Sequence, residues 1–304
     1  MKNEWYLITI GHLTRNIYWG ESSGKAVHSC IATCTAVRSE YGVILIDPSL
    51  PAELLMKELY DQTGIRPEEV TYIYCTHNHL DHWTGTEAFP QAKLCLPEAD
   101  LCYLKEDRDL YDGVRGREID RMIGVCGELV PGFTLVSLPG HSLGLAGLLF
   151  EGPEGKILAA GDSVMGKEYF HAKRGYFWSA DLFLSCKSIE KAAALADYII
   201  PGHGNYFNVA AYLYEEGTPD EVIPETVPGI ISEYSPLKEV IYNEDCFEVF
   251  HRYLPGMSIA GLRIARDVAL HALILNMDDA VRKDCSGLLR ELNECKNKQK
   301  VYYK

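Results

Sequence analysis

The segment TYIYCTHNHLDHWTG, residues 71–85, joins an apolar run to a cluster of polar side chains. Its first residues are β-branched and aromatic, which is typical of a strand. Histidine and aspartate are poor strand and core residues, yet four of them follow within six positions: His77, His79, Asp81 and His82. A divalent metal ion compensates for such crowding, because it binds the lone pairs of these side chains. The segment therefore predicts part of a metal site at the end of a strand.

Three later turns carry further candidate ligands. Each turn follows an apolar run and contains glycine, which permits the sharp bends that bring side chains to a common point. The turns are LPGHSLG, AAGDS and IIPGHG, and they contribute His141, Asp162 and His203. Seven candidates are too many for one zinc-type ion and suit two ions, provided that one carboxylate bridges them. A solvated histidine-rich loop would explain the first segment alone, but not the three later turns.

The pattern of the remaining chain predicts an α/β protein. Strands are expected within residues 5–10, 30–37, 43–49, 70–76, 92–96, 133–142, 145–152, 155–163 and 197–204. Helices are expected over residues 51–63, with Gly64 as the stop, 97–105 and 179–195, and a charged stretch runs to Arg121. This order predicts a four-layer αββα sandwich, in which two packed sheets are flanked by helices.

A change of composition near residue 218 suggests a domain boundary, because prolines break a polar and acidic stretch there. We expect a catalytic domain over residues 1–217 and a helical extension over 218–304, with helices at 259–280 and 281–296. The first of these helices is apolar on more than one face and must be covered. It would form a lid on the catalytic domain, a homodimer interface, or a purely structural contact, and the sequence leaves all three open.

Composition limits the partners. The formal net charge of −14 argues against duplex nucleic acid and anionic membrane surfaces, so a small molecule is the expected substrate. The N-terminal residues do not resemble a signal peptide, and no apolar run is long enough for a membrane helix, so a cytoplasmic location is expected. The ten cysteines include no CxxC pair and are interpreted mainly as small buried hydrophobic residues.

The order THNHLDH, PGHS, AGD and PGHG resembles the signature of the metallo-β-lactamase superfamily, and the match covers roughly residues 5–210. The resemblance implies that His77, His79 and His141 bind one metal and that Asp81, His82 and His203 bind a second. Asp162 would bridge the two metals. Asp47 of LIDPS would orient a ligand histidine from behind. Two divalent cations are implied, zinc first, with iron or manganese as alternatives.

The same resemblance implies a dinuclear hydrolase, in which a metal-bridging hydroxide attacks an ester, thioester, lactone or phosphoester bond. Asp81 and Asp162 would be its catalytic carboxylates. The bridging Asp162 argues against a true β-lactamase and favours the glyoxalase II and acyl-homoserine-lactonase type, although Met165 stands where the lactonases have tyrosine. The alternative is a mononuclear iron oxidoreductase similar to the persulfide dioxygenases. A metal-binding module without activity is disfavoured, because the ligands of both sites are present.

Residues 163–178, SVMGKEYFHAKRGYFW, directly follow the bridging aspartate and are predicted to form one wall of the substrate pocket. They concentrate basic and aromatic side chains in an otherwise acidic protein, which suits a substrate with a carboxylate or phosphate. The candidate substrate-binding residues are Lys167, His171, Lys173, Arg174 and Tyr176. A solvated loop with incidental charge explains the segment equally well.

Overall fold

The computed structural model describes residues 3–14, 16, 30–176 and 179–213. The boundary near residue 218, the helices at 259–280 and 281–296, and the homodimer that they would form lie outside the described residues. These stay predictions.

The first sheet has six strands, which are consecutive both in the chain and in space. They are β1 (Glu4–Thr9), β2 (Cys34–Ser39), β3 (Gly42–Ile46), β4 (Val70–Tyr74), β5 (Lys93–Pro97) and β6 (Ile123–Val125). The pairs from β1 to β3 are antiparallel, and those from β3 to β6 are parallel. Because β3 and β4 run in the same direction, their carboxyl ends lie at one edge of the sheet.

The second sheet also has six strands. They are β7 (Glu128–Val130), β8 (Phe133–Ser137), β9 (Ala146–Gly152), β10 (Gly155–Gly161), β11 (Tyr198–Pro201) and β12 (Phe207–Asn208). Their spatial order is β12-β11-β10-β9-β8-β7. Only β10 and β11 pair in parallel, so the residues that follow these two strands emerge side by side.

Helices cover the outer faces of the two sheets. They are α1 (Ala52–Thr63), α2 (Glu98–Glu106), α3 (Gly113–Arg121), α4 (Lys167–His171), α5 (Leu182–Leu195) and α6 (Val209–Leu213). Leu55 and Leu59 of α1 pack with the first sheet, and Ile189 and Ala192 of α5 pack with the second. No helix among the described residues has both the length and the apolar character needed to cross a membrane.

Alternating side chains place each sheet between two cores. On β3, Ile44 and Ile46 join Phe150 in the cluster between the sheets, whereas Val43 and Leu45 join the cluster on the α1 side. This period of two is the normal geometry of a strand that is buried on both faces. The predicted four-layer αββα sandwich is therefore confirmed.

Element ends differ from the predicted ones where a specific contact intervenes. Helix α1 ends as predicted at Gly64, which takes a left-handed φ of 68°. Helix α5 begins at Leu182 rather than at residue 179, because the Asp181 carboxylate accepts a hydrogen bond from Leu184 N at 2.8 Å. Such a cap sets the helix start. The charged stretch that runs to Arg121 contains helix α3, which the sequence pattern did not identify.

Two further predictions need correction. The strand expected from residue 30 begins at Cys34, because Ile31 before it forms an isolated β-bridge with His12. The interpretation of the cysteines as mainly buried holds for three of the seven described ones, namely Cys34, Cys75 and Cys95. The other four are exposed or half-buried: Cys30, Cys102, Cys126 and Cys186.

Candidate metal centre

The predicted ligands follow the carboxyl ends of strands from both sheets. Residues 77–82 follow β4, Asp162 follows β10 and His203 follows β11, while His141 follows β8. The two sheets present these ends at the same side of the sandwich, so residues far apart in the chain meet. The carboxyl ends of parallel strands are the usual place for a ligand site in α/β proteins.

The first group of side chains is called the first subsite and consists of His77, His79, His141 and Asp162. One ligand atom from each lies within 4.8 Å of the others. His141 Nε2 lies 2.9 Å from His79 Nδ1 and 3.0 Å from Asp162 Oδ2. His77 Nε2 lies 3.8 Å from the same carboxylate oxygen and is buried without a hydrogen-bond partner among the described residues. A buried ring nitrogen of this kind is suited to a cation.

The second subsite consists of His82, His203, Asp162 and Asp81. Asp162 Oδ1 lies 3.1 Å from His82 Nε2 and 3.2 Å from His203 Nε2. Asp81 Oδ2 lies 3.8 Å and 3.7 Å from the same two nitrogens. Asp162 Oδ1 and both nitrogens are buried, and none has an aligned hydrogen-bond partner among the described residues. Three electron-pair donors that face one another without hydrogen bonds fit a bound cation.

In His203 and His77, the ring nitrogen that points away from the subsites has a hydrogen-bond partner in the protein. This contact fixes which nitrogen carries the hydrogen and which one presents its lone pair to the metal site. His203 Nδ1 lies 2.9 Å from the carbonyl oxygen of Ile31, an acceptor only, so Nδ1 carries the hydrogen and Nε2 faces the subsite. His77 Nδ1 lies 3.1 Å from Thr76 Oγ1, which itself donates to Asp47 Oδ2 at 2.9 Å. This relay assigns the hydrogen of His77 to Nδ1 as well.

Asp47 contacts His82 directly and His77 through Thr76, on the side that points away from the subsites. Its carboxylate accepts from Thr76 N at 2.8 Å, and its Oδ2 lies 2.9 Å from His82 Nδ1, without ideal hydrogen-bond alignment. The negative charge still favours a hydrogen on that nitrogen. Asp47 has a φ of 50°, a left-handed conformation that aspartate tolerates better than most residues. Asp47 therefore lies beside His82 Nδ1, on the side of the ring that points away from the second subsite.

Two glycines are needed where the loops approach most closely. A Cβ on Gly202 would collide with Asp162 Oδ1. A Cβ on Gly161, whose φ is 53°, would collide with the hydroxyl of Thr76. Glycine therefore lets the Asp162 loop lie against both the His203 loop and the His77 loop.

The pKa values of four histidines are shifted, and the direction of the shift is opposite in the two subsites. Burial, together with the neighbouring histidines, lowers the pKa of His77 well below its usual value and that of His79 to about 3. Burial also opposes protonation of His82 and His203, but the surrounding carboxylates, Asp162 foremost, outweigh it and raise the pKa of both rings. His77 and His79 are therefore neutral imidazoles, whereas protons and metal ions compete for His82 and His203.

Two residues of the site were missed from the sequence. Asp100, on α2, is fully buried and accepts from Asn78 N at 3.0 Å, Ser142 Oγ at 2.7 Å and Gly144 N at 2.9 Å. It thereby ties the His79 loop to the His141 loop. Burial raises its pKa, although these hydrogen bonds oppose the shift. The sequence signal was weak, because an aspartate in the first turn of a helix is commonplace.

Cys30 is the second missed residue. Its thiol donates to Asp81 Oδ2 at 3.2 Å, so it lies beside the second subsite. Nothing in the sequence pointed to it, because 51 positions separate the two residues.

The predicted substrate-binding residues have mixed surroundings. The ring of Tyr176 lies 6.5 Å from that of His141 and 6.0 Å from that of Tyr169, so Tyr176 is next to the first subsite. Lys167 begins α4 and Lys173 follows it, and both are exposed. His171 and Arg174 are half-buried. A role of these side chains in substrate binding stays a prediction.

The family model of the metallo-beta-lactamase superfamily matches residues 29–203, which is more than half of the chain. The chain belongs to the metallo-beta-lactamase superfamily. A solved structure from Thermotoga maritima, described as a candidate metallo-beta-lactamase, has the same fold, with a TM-score of 0.52 and 17% identity. It covers 68% of this chain and 100% of that one. The family predicted from the motif order is thus confirmed.

Curated members of the superfamily resemble part of the chain. Metallo-beta-lactamase domain-containing protein 1 of Mus musculus is 32% identical over 173 residues, which cover 55% of this chain and 62% of the mouse protein. An N-acyl homoserine lactonase of Bacillus cereus is 27% identical over 163 residues, which cover 45% of this chain and 65% of the lactonase. The chain therefore spans less than two thirds of the length of either relative.

Proposed function

We propose that this protein is a dinuclear metal-dependent hydrolase that cleaves an ester, thioester, lactone or phosphoester bond of a small molecule. The observation that carries the proposal is the position of Asp162. One oxygen of its carboxylate lies 3.0 Å from a histidine of the first subsite, and the other lies 3.1 and 3.2 Å from the two histidines of the second. A carboxylate shared in this way suits two cations, with zinc, iron or manganese as candidates.

Bound divalent cations would lower the pKa of a water molecule and neutralise the charge that builds on the attacked oxygen. The chain supplies the groups that hold and orient them. Burial opposes the ionisation of Asp162, but His203 and His82 outweigh it and hold its pKa well below the usual value. Asp162 is therefore negative at neutral pH and favours cations in both subsites.

Asp81 is the carboxylate that solvent reaches. Its side chain is 21% exposed, against 4% for Asp162. Burial raises the pKa of Asp81, but His82, His203 and His79 together more than compensate, so the net shift is downward. An ionised carboxylate at the open side can accept the proton of an attacking water molecule. We assign that catalytic role to Asp81.

We assign one wall of the substrate site to the segment that follows Asp162, predicted from the sequence as residues 163–178. Shortly after this segment, Ala180 N and Asp181 N donate to the carbonyls of His141 and Gly140 at 3.1 and 2.9 Å, so the chain that follows it is attached to the His141 loop. The segment's basic residues Lys173 and Arg174 favour a substrate with a carboxylate or phosphate. Their replacement by Ala should raise KM for such a substrate and leave KM for a neutral one unchanged.

A lactone is the first substrate to test, because N-acyl homoserine lactonases are among the relatives. The protein should be purified without added metal, analysed for metal content, and screened against esters, thioesters, lactones and phosphodiesters. Asp162→Ala should lose metal and turnover together, whereas Asp61→Ala, at an exposed carboxylate on α1, should change neither. Full occupancy and turnover in Asp162→Ala would contradict the bridge. A single iron with oxygen consumption would support the oxidoreductase alternative.

A further inference from the structure

The thiol of Cys30 lies at the open side of the second subsite. Its Sγ donates a hydrogen bond to Asp81 Oδ2 at 3.2 Å. One ligand atom each from Cys30, Asp81 and His203 lies within 4.8 Å of the other two. Cys30 is exposed, whereas His203 is buried, so the thiol stands between the subsite and solvent.

The backbone around Cys30 is held by the loop that carries His203. Ile31 and His12 exchange two backbone hydrogen bonds, of 2.8 and 3.1 Å, and Ile31 O also faces His203 Nδ1 at 2.9 Å. Thr33 N donates to Gly202 O at 2.7 Å, and Thr33 Oγ1 donates to Gly204 O at 2.8 Å. The position of the thiol is therefore coupled to that of a predicted metal ligand, rather than set by chance on a surface loop.

His203 gives an independent indication that a ligand belongs here. Its side chain is 2% exposed, and its Nε2 has no hydrogen-bond partner among the described residues. Because the hydrogen of this ring is assigned to Nδ1, the lone pair of Nε2 faces Asp162 Oδ1 at 3.2 Å and Asp81 Oδ2 at 3.7 Å, and Asp81 Oδ2 is the atom that the Cys30 thiol contacts. A buried lone pair without a donor is the mark of an absent cation or proton.

We propose that Cys30 is a ligand of the metal ion in the second subsite. Zinc–sulfur and zinc–oxygen bonds at a tetrahedral angle separate the two ligand atoms by about 3.6 Å. The observed separation of 3.2 Å between Cys30 Sγ and Asp81 Oδ2 is close to that value. When the ion binds, the S–H bond breaks, a sulfur–metal bond forms, and the proton leaves to solvent.

This ligand makes the two subsites chemically different. The first offers imidazole and carboxylate, whereas the second adds a soft thiolate. Thiolates favour zinc and iron over manganese and magnesium, so Cys30 would set the metal preference of the second subsite. The inference rests on the proposed function, because it requires that the second subsite binds an ion.

The test uses the full chain loaded with Co²⁺, with the bound metal counted at each addition. Filling of the second subsite should produce a near-ultraviolet sulfur-to-cobalt charge-transfer band. Cys30→Ser should abolish the band and weaken zinc binding at that subsite by about tenfold or more, because even the loss of a partner that only supports a ligand weakens binding about 10–100-fold. Cys102→Ser, at an exposed cysteine on α2, should retain the band and the affinity.

Alkylation provides a second readout that does not depend on activity. Zinc should protect Cys30 from iodoacetamide, while Cys102 and Cys126, both exposed, react equally fast with and without zinc in the same sample. If two cobalt ions bind without the band, or if zinc leaves Cys30 unprotected, the ligand assignment is wrong and the proposed function stands. If only one ion binds, the second subsite itself fails, and this inference fails with it.

Discussion

Replacement of Asp47 by Asn tests whether residues that contact the ligand histidines, but not the metal, control metal binding. Asparagine has the same shape as aspartate and also tolerates the left-handed φ of 50° seen at this position. Its oxygen can still accept from Thr76 N. The amide nitrogen, however, replaces the oxygen that accepts from Thr76 Oγ1 at 2.9 Å and lies 2.9 Å from His82 Nδ1.

The substitution should act on both metal affinity and stability. Without the carboxylate, His82 is free to place its hydrogen on Nε2, which faces the second subsite. Loss of such a supporting partner weakens metal binding about 10–100-fold, or about 1.4–2.7 kcal/mol. Loss of the buried charge-assisted hydrogen bond to Thr76 should lower the free energy of unfolding of the metal-free protein by about 1.5–3 kcal/mol.

Competition with a colorimetric zinc chelator measures the affinity of each subsite, and urea denaturation of the metal-free protein measures stability. Asp61→Asn is the matched control, because Asp61 pairs with Lys57 on the exposed face of α1. It should change the free energy of unfolding by less than about 0.5 kcal/mol. Unchanged zinc affinity of the second subsite in Asp47→Asn would refute the assigned role of Asp47.

Three further results are expected. Asp100→Asn should lower the free energy of unfolding by about 1–3 kcal/mol, because an amide cannot accept all three hydrogen bonds; Glu98→Gln, at an exposed position of the same helix, is the control. Gly161→Ala should destabilise the protein and weaken metal binding, since its Cβ collides with Thr76; wild-type melting and metal content would contradict this. Metal uptake at pH 7 should release on the order of one proton or more, and affinity should fall as pH falls, because both histidines of the second subsite have raised pKa values. Calorimetry in buffers of different ionisation enthalpy measures the release, and a value of zero would refute it.

The sequence by itself determined the local features of this protein. Apolar runs of period two predicted most strands, and glycine and proline predicted their ends. The family was predicted because several separate ligand motifs occur along the chain in the order typical of it. Strands, turns and motifs depend on residues that are close together in the chain, so they can be predicted from a single sequence. Helix α3 escaped prediction because it is highly charged, and its Asp120 pairs at 2.6 Å with Arg108, which lies before the helix.

Only the tertiary structure decided which distant side chains meet. Asp100 contacts Ser142 across 42 positions, and Cys30 contacts Asp81 across 51. Neither residue has a local pattern that distinguishes it from a helix-turn aspartate or a small hydrophobic cysteine. Their roles arise because two packed sheets bring loops from both halves of the chain to one edge. Burial there removes water, so each buried polar atom must find its partner in the protein or in a bound ion.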